Sequence, residues 1–240
     1  MKKDDEIDEY AEQWNVSSKY FYDQGYYTWM AKKLIEYNTV LEIGCGTGYS
    51  TLALIEQGYR VIAIEKNSAC IAMAKKLMNL NGIIENQVIF IAGDITEEGF
   101  RNMLLSTYPF EVVICWNVGS YWNKEMIQYY LPYMLNYGLN VWQIKENPES
   151  SYSELIIWEV CRLAKQKNVP VHIVDRSAEK INEINDPYYY SLRDEFEYSE
   201  IMFDNLEADS LSMGGRCLTT NGIVNREDKI EIIFVSLLIR

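Results

Sequence analysis

Short apolar runs alternate with amphipathic segments along most of the chain, and this predicts strands alternating with helices. The apolar runs before residue 175 are 39–43, 60–64, 87–92, 110–115, 139–144 and 169–174. Helices are predicted over 48–57, 68–80, 123–136 and 152–167, with a further helix capped by Thr96. A last run over 229–238, rich in Ile, Phe and Val, predicts a closing strand. The alternation indicates a doubly wound, mostly parallel α/β sheet.

Two segments depart from this alternation. Residues 4–37 carry no strand signal and predict two helices, over 4–14 and 17–37. Residues 176–228 contain three consecutive tyrosines, 188–190, and many acidic residues. We therefore expect a single domain made of an N-terminal helical lid (1–37), a core (38–174), an insertion that caps the substrate site (175–228) and a last strand (229–240).

Helix ends can be predicted from capping residues. Asn67 or Ser68 suits the N-cap of the helix over 68–80. Ser151 and Glu154 have the spacing of a capping box, which predicts that the next long helix begins at residue 152.

The composition narrows the possible partners. A net charge of −13 over 240 residues makes nucleic acid an unlikely substrate, because phosphate binding needs clustered Lys and Arg. No apolar run approaches the ~20 residues that span a bilayer. The five cysteines have no framework spacing, which favours reduced thiols and a cytoplasmic protein. No metal site is expected, since His172 is the only histidine.

The most informative stretch runs from Val40 to Ser50 and reads as a strand, a glycine turn and the start of a helix. Gly44, Gly46 and Gly48 leave room for a ligand beside the backbone, because glycine has no Cβ. Their G-x-G-x-G spacing differs from the dinucleotide fingerprint G-x-G-x-x-G. Glu42 would repel a pyrophosphate but could accept a hydrogen bond from a cationic amine.

The acidic-x-G-x-G-x-G pattern from Glu42 to Gly48 resembles motif I of the class I S-adenosylmethionine-dependent methyltransferases. The resemblance covers about residues 38–174 and 229–240. It implies the sheet order 3-2-1-4-5-7-6 with the last strand antiparallel, and S-adenosyl-L-methionine as cofactor. It also implies that Glu42, Gly44, Cys45, Gly46 and Gly48 contact that cofactor.

Two acids follow the next strands. Glu65 lies 21 residues after Gly44 at a strand end, where a carboxylate can accept from both hydroxyls of a ribose. This position also matches the second methyltransferase motif, with Lys66 beside it. The resemblance implies that Asp94 accepts from the adenine amine and that Ile95 packs on the ring. The alternative for Asp94 is an ordinary turn residue.

The residues that could act on the acceptor are less clear. Trp116-Asn117 follows the fourth strand, where the amino-methyltransferases of this superfamily often carry Asn-Pro-Pro-aromatic. This chain lacks both prolines, and Tyr121 stands one place further along. Asn117, also a candidate cofactor contact, and Tyr121 are therefore weak catalytic candidates. His172 is a third, although a lone strand histidine is usually structural. In the resembling family an N-terminal aromatic often lies near the methionyl group, and Tyr22 and Tyr27 are the candidates here.

The sequence favours a methyltransferase that acts on a nitrogen or oxygen of a small molecule. A protein or peptide methyltransferase and a non-catalytic S-adenosylmethionine-binding module remain alternatives. A nicotinamide oxidoreductase is disfavoured by the glycine spacing and by Glu42. The tyrosines at 188–190 could line an acceptor site or form the arm of a homodimer, and the sequence does not choose between these roles.

Overall fold

A seven-stranded sheet organises the protein. The computed structural model describes residues 2–84, 86–118, 124–186, 188–213, 216–217, 219–220, 223–224 and 229–240. The strands are β1 (Thr39–Ile43), β2 (Arg60–Glu65), β3 (Val88–Ala92), β4 (Val112–Trp116), β5 (Val171–Ser177), β6 (Ile201–Ser210) and β7 (Ile230–Ile239). Their order is β3-β2-β1-β4-β5-β7-β6, which confirms the predicted topology. Strands β1 to β5 pair in parallel, and β7 is antiparallel to both neighbours.

Helices cover both faces of the sheet. They are α1 (Lys2–Asp23), α2 (Tyr26–Ala31), α3 (Tyr49–Glu56), α4 (Ser68–Leu80), α5 (Glu98–Thr107), α6 (Lys124–Tyr137), α7 (Val141–Glu146), α8 (Pro148–Lys167) and α9 (Tyr189–Glu195). Successive residues of a strand point to opposite faces. Val40 accordingly packs in the core under α1 to α3, whereas Leu41 packs in the core under α5, α6 and α8. The central strands are therefore apolar on both sides.

The prediction of a strand over 139–144 is wrong, because this segment forms helix α7. The side chain of Asn140 accepts a hydrogen bond from the backbone N–H of Gln143 (2.9 Å), and so it caps the first turn. A short apolar run fits a strand or a helix equally well. The exposed Val141 and Trp142 show that its apolar residues were not all core residues.

The sixth strand lies inside the segment that was predicted to be an insertion. Strand β6 pairs with β7 along ten residue pairs, from Ile201–Ile239 to Ser210–Ile230. It occupies the sheet edge and carries Asp204, Asn205 and other polar residues, which hid it from a search for apolar runs. Within that segment, residues 201–210 therefore belong to the sheet, as do residues 175–177 at the end of β5, whereas residues 178–186 and 188–200 lie outside it.

Helix boundaries also differ from the predictions. The first helix is continuous from Lys2 to Asp23, so the predicted boundary near residue 15 is wrong. The boundary between the first two helices lies at Gly25, whose φ is 77°. Thr96 does not cap α5, because Glu97 takes the N-cap position. Helix α8 begins at Pro148, so the predicted capping box falls inside it.

The cap of α4 is confirmed. The side chain of Asn67 accepts from the backbone N–H groups of Ala69 (2.9 Å) and Cys70 (3.3 Å). This cap fixes the chain immediately after Glu65, where β2 ends at the functional edge of the sheet.

Candidate functional site

A cavity opens at the carboxyl ends of β1, β2 and β4, which is where ligands bind in open α/β sheets. It encloses about 700 Å³ of space, open solvent at its mouth included. It is lined by Tyr10, Trp14, Ile43, Gly44, Gly46, Ile64, Glu65, Lys66, Asn67, Cys70, Gly93, Asp94, Ile95, Asn117, Val118, Tyr152 and Ile156. Seven residues predicted from the sequence are among these: Gly44, Gly46, Glu65, Lys66, Asp94, Ile95 and Asn117.

The glycine turn forms one wall. Gly44 and Gly46 have φ values of 77° and 53°, a conformation that residues with a Cβ rarely adopt. A Cβ on Gly44 would lie 2.5 Å from Cγ2 of Val118, and one on Gly46 would overlap the indole of Trp14. The close approach of these side chains therefore requires glycine at both positions.

Glu65 connects this turn to the end of β2. Its Oε2 accepts from the backbone N–H of Gly46 (3.0 Å) and its Oε1 from that of Asn67 (2.9 Å). Burial raises the pKa of the carboxyl group, while these two backbone hydrogen bonds act in the opposite direction. Each carboxylate oxygen has a second lone pair, so Glu65 can also accept from a ligand diol.

Asp94 and Ile95 form the next part of the wall. Oδ1 of Asp94 accepts from the backbone N–H (2.9 Å) and the hydroxyl (2.8 Å) of Thr96, and Oδ2 accepts from the hydroxyl of Tyr130. Ile95 is buried, and its carbonyl accepts from Nη1 of Arg101 (2.7 Å). The predicted adenine contacts thus lie on a loop whose backbone is tied to α5.

Lys66 lies between two tyrosines that the sequence did not indicate. Its ammonium donates to the hydroxyls of Tyr152 (2.5 Å) and Tyr130 (3.3 Å). It also lies 4.2 Å and 4.9 Å from the centroids of those rings. Lys66 as a whole residue is exposed, and desolvation of its ammonium nevertheless lowers its pKa to about 8. Tyr130 and Tyr152 come from α6 and α8, and no spacing in the sequence relates them to Lys66.

Asn117 ends β4 in an unusual conformation. Its φ is 55°, in the left-handed region, which Asn tolerates better than most residues. Only 6% of the residue is exposed, and neither Oδ1 nor Nδ2 has a hydrogen-bond partner among the described residues. A buried, unsatisfied amide that faces a cavity is a candidate ligand contact. Tyr121, the neighbouring catalytic candidate, lies outside the described residues.

Helix α1 covers the cavity with Tyr10 and Trp14. Neither residue was predicted, since the aromatic candidates, Tyr22 and Tyr27, came from the predicted helix over 17–37. Tyr22 does not line the cavity: its hydroxyl donates to Glu56 (2.6 Å) on the outer side of α3. Tyr27 does not line it either, since its hydroxyl pairs with that of Ser18 (3.1 Å) and its ring stacks on Trp116.

Glu42 lies below the glycine turn and not on the cavity wall. Its oxygens accept from the hydroxyls of Ser50 (2.5 Å) and Thr51 (2.6 Å), and burial raises its pKa to about 7. Its placement therefore indicates a role in holding α3 against β1. Cys45 is buried and Gly48 packs against Ala74, so neither lines the cavity.

His172 is fully buried away from the cavity, which does not support a general-base role. Its Nδ1 accepts from the indole N–H of Trp116 (2.9 Å), so the ring proton is on Nε2 and donates to Ser236 Oγ (2.7 Å). Burial lowers its pKa to about 3. His172 is a neutral structural residue that joins β4, β5 and β7.

Within the described residues, no three His, Cys, Asp or Glu side chains are grouped so that they could hold a metal ion. Of the helices in that part of the chain, none combines the length and apolarity that crossing a bilayer requires.

Comparison with known proteins places this site in a family. Residues 40–136 match the model of a methyltransferase domain family. No curated protein sequence matches the chain. Among solved structures, PH1948 from Pyrococcus horikoshii has a TM-score of 0.51 at 10% identity over 90% of this chain and 83% of its own. EvdMO1 has a TM-score of 0.50 at 14% identity over 89% of this chain, which spans only 40% of EvdMO1. The N-terminal domain of EvdMO1 with S-adenosylhomocysteine bound has a TM-score of 0.49 at 13% identity, over 91% of this chain and 80% of that one.

The solved structures are too distant to show more than the fold. The family match covers the glycine turn, Glu65, Asp94 and Asn117, and the sheet has the expected order. Residues 40–136 therefore match a methyltransferase domain, and the sheet order is the one implied by the resemblance to the class I S-adenosylmethionine-dependent methyltransferases.

Proposed function

We propose that this protein transfers a methyl group from S-adenosylmethionine to a nitrogen or oxygen atom of a small molecule. The observation that carries the proposal is the buried, unpaired amide of Asn117 in a cavity beside the glycine turn. Its Oδ1 can accept from an N–H or O–H of a ligand, and its Nδ2 can donate. Either bond would orient the acceptor or the amino-acid end of the cofactor.

The lining residues fit this cofactor. Glu65 suits the ribose hydroxyls, and Asp94 and Ile95 suit the adenine. The two glycines leave space where a Cβ would collide. The cofactor supplies an activated methyl group, so a lone pair of the acceptor forms the new bond as the carbon–sulfur bond breaks and sulfur keeps the electron pair. An acceptor atom that carries a proton releases it. The chain's own contribution is to orient the acceptor and exclude water.

A small acceptor is favoured by the cover over the cavity. Tyr10 and Trp14 of α1 lie above it, and α1 is attached to the sheet edge by the hydroxyl of Tyr20, which donates to Asp209 (2.6 Å). We propose that residues 1–37 are the lid. A peptide substrate would need an open groove instead. A net charge of −13 also disfavours RNA, although PH1948 is described as an RNA methyltransferase candidate.

The role of residues 175–228 as a substrate cap stays a prediction. Among the described residues of this segment, none lines the cavity. Tyr189 is buried and its hydroxyl donates to Asp175 (3.3 Å), while the ring of Tyr190 lies 5.8 Å from that of Phe203. A deletion that tests the cap must therefore end before residue 201, because β6 is part of the sheet.

The compartment and the assembly are also proposals. Four cysteines, Cys45, Cys70, Cys115 and Cys161, are buried free thiols, which supports a reducing, cytoplasmic environment. A homodimer remains a prediction that size-exclusion chromatography with light scattering can test.

The proposed activity can be tested with purified protein, S-adenosylmethionine and a small-molecule extract of cells. We expect S-adenosylhomocysteine to accumulate and a product heavier by one methylene to appear in the mass spectrum. Asn117→Gly removes the side-chain amide, and glycine adopts the left-handed backbone conformation without strain. Asn79→Gly, at an exposed position of α4, is the matched control. Asn117→Gly should lower turnover at least about tenfold. Tight binding of S-adenosylhomocysteine without any methylated product would favour the non-catalytic binding module, and methylation of proteins alone would favour the protein methyltransferase.

A further inference from the structure

Arg176 lies near the functional edge of the sheet, on the face covered by α1. Trp116 of β4 is in register with Val174 of β5, so Asn117 and Arg176 both follow that pair toward the same edge. Side chains alternate along a strand, and Val174 packs in the core under α1. Arg176, two residues later, therefore projects to the same face.

The neighbours of Arg176 connect it to the cavity. Tyr10, Tyr27, Asp175 and Glu149 are close enough to interact electrostatically with its guanidinium. Tyr10 also lines the cavity. The side chain of Asp175 projects to the opposite face, where it accepts from the hydroxyl of Tyr189 (3.3 Å). Arg176 is not itself among the residues that line the cavity, and its electrostatic interaction with Tyr10 connects it to that lining.

Among the described residues, no carboxylate forms an ion pair with this cation within 4 Å. The other arginines that are buried or half-buried in the described part of the chain each contact a carboxylate within 4 Å: Arg101 and Arg162 contact Glu159, Arg193 contacts Asp194, and Arg240 contacts Glu36. No described carboxylate comes as close to Arg176, and none of the hydrogen bonds found among the described residues involves its side chain. A half-buried guanidinium without a partner is costly unless a ligand supplies one.

We propose that Arg176 binds an anionic group, a carboxylate or a phosphate ester, of the methyl acceptor. This inference rests on the proposed function and adds the chemical class of the acceptor to it. The planar guanidinium can donate two parallel hydrogen bonds to either oxyanion. Such an anchor holds the acceptor at the β5 side of the cavity, with its other end directed toward Asn117. In a chain of net charge −13, a cation kept without a carboxylate partner attracts an anionic group to this side of the site.

The experiment uses the full chain, S-adenosylmethionine labelled in its methyl group, and a small-molecule extract separated by anion exchange into anionic and non-anionic fractions. We expect label to enter the anionic fraction. Arg176→Gln should reduce that incorporation at least about tenfold. Arg176→Lys should retain an intermediate level, because an ammonium keeps the positive charge but cannot donate the two parallel hydrogen bonds of a guanidinium. Affinity for S-adenosylhomocysteine, measured by titration calorimetry, should stay within about twofold in both variants. Arg60→Gln, the same charge change on an exposed residue, is the control and should not change incorporation.

Each other outcome has a definite meaning. Label confined to the non-anionic fraction, or normal incorporation by Arg176→Gln, would overturn the inference while leaving the proposed function intact. Loss of S-adenosylhomocysteine affinity in parallel with incorporation would overturn it too, since Arg176 would then support the cofactor site. No label from the wild-type protein in either fraction would count against the proposed function and therefore against this inference. Phosphatase treatment of the labelled product distinguishes the two anions, because only a phosphate ester would lose its retention on the resin.

Discussion

The indole of Trp14 occupies the space that a Cβ at Gly46 would need. Helix α1 and the glycine turn are therefore in direct contact, and the lid rests on the backbone that forms the cavity wall. Gly46 also donates its N–H to Glu65 (3.0 Å). A change at this one residue should consequently affect the lid, the turn and the carboxylate together.

Gly46→Ala should abolish most cofactor binding. The left-handed backbone alone costs roughly 1–2 kcal/mol for a residue with a Cβ, and the methyl group must also displace Trp14. We expect affinity for S-adenosylhomocysteine to fall at least about tenfold, as measured by titration calorimetry. Gly58→Ala is the matched control, because Gly58 has a φ of 92° with nothing near its Cβ position. Gly58→Ala should lose stability but keep its affinity; equal losses of affinity in both variants would show that strain alone is responsible.

Glu65→Gln should weaken cofactor binding with little effect on folding. The amide has one acceptor oxygen, so it cannot accept from both Gly46 and Asn67, and it removes the charge offered to a ribose diol. Hydrogen bonds to a charged group contribute ~1.5–3 kcal/mol each, which corresponds to a tenfold or greater loss of affinity. The comparison variant is Glu98→Gln on the exposed first turn of α5. If Glu65→Gln unfolds more easily but binds normally, the role of Glu65 is structural.

The sequence was most informative where function depends on the residues immediately after a strand. Gly44, Glu65 and Asp94 each follow an apolar run, and the parallel sheet brings the ends of those runs to one edge. The position of such residues depends only on where a strand ends, and the apolar pattern in the sequence predicts that point. The sheet order followed from the family resemblance for the same reason.

Residues contributed by helices could not be predicted. Tyr10, Tyr130 and Tyr152 reach the site from α1, α6 and α8, and their positions depend on how those helices pack. The polar edge strand β6 was missed because burial on one side only weakens the apolar pattern, and α7 was predicted as a strand because a short apolar run fits either element. His172 is the opposite case, a residue that was predicted but does not reach the site. Histidine can act as a general base, but this one is buried beside Trp116 and is inert.

His172→Leu should reduce stability and leave the site unchanged. It removes the acceptor of the Trp116 indole N–H and the partner of the Ser236 hydroxyl, and an unsatisfied buried group costs ~1–3 kcal/mol. We expect unfolding by urea at a lower concentration and unchanged affinity for S-adenosylhomocysteine.

The folded-state pKa of about 3 for His172 is below the value of 6.5 expected in the unfolded chain. The wild-type histidine therefore reduces stability as the pH falls from 6.5 toward 3, and the variant should lack this contribution. A large loss of turnover with normal stability would restore His172 as a catalytic candidate.

Glu42 should make the protein less stable as the pH rises toward neutrality. Burial raises its pKa from 4.5 to about 7, so between these values the folded state binds a proton that the unfolded state releases. By linkage, the free energy of unfolding falls with increasing pH across this window and levels off above it. A shift of this size corresponds to about 3 kcal/mol.

Glu42→Gln isolates this effect, because the amide is uncharged at every pH and still offers an oxygen to Ser50 or Thr51. Urea unfolding of both proteins at pH 5, 6, 7 and 8 gives the difference in stability, in which the contributions of other titrating groups largely cancel. We expect the free energy of unfolding of the variant to rise relative to that of the wild type as the pH rises, by roughly 3 kcal/mol in total. Glu98→Gln, at an exposed position, is the comparison variant. A difference that does not change with pH for Glu42→Gln would mean that hydrogen bonds from Ser50 and Thr51 keep the carboxylate ionised throughout, and that its burial does not raise its pKa.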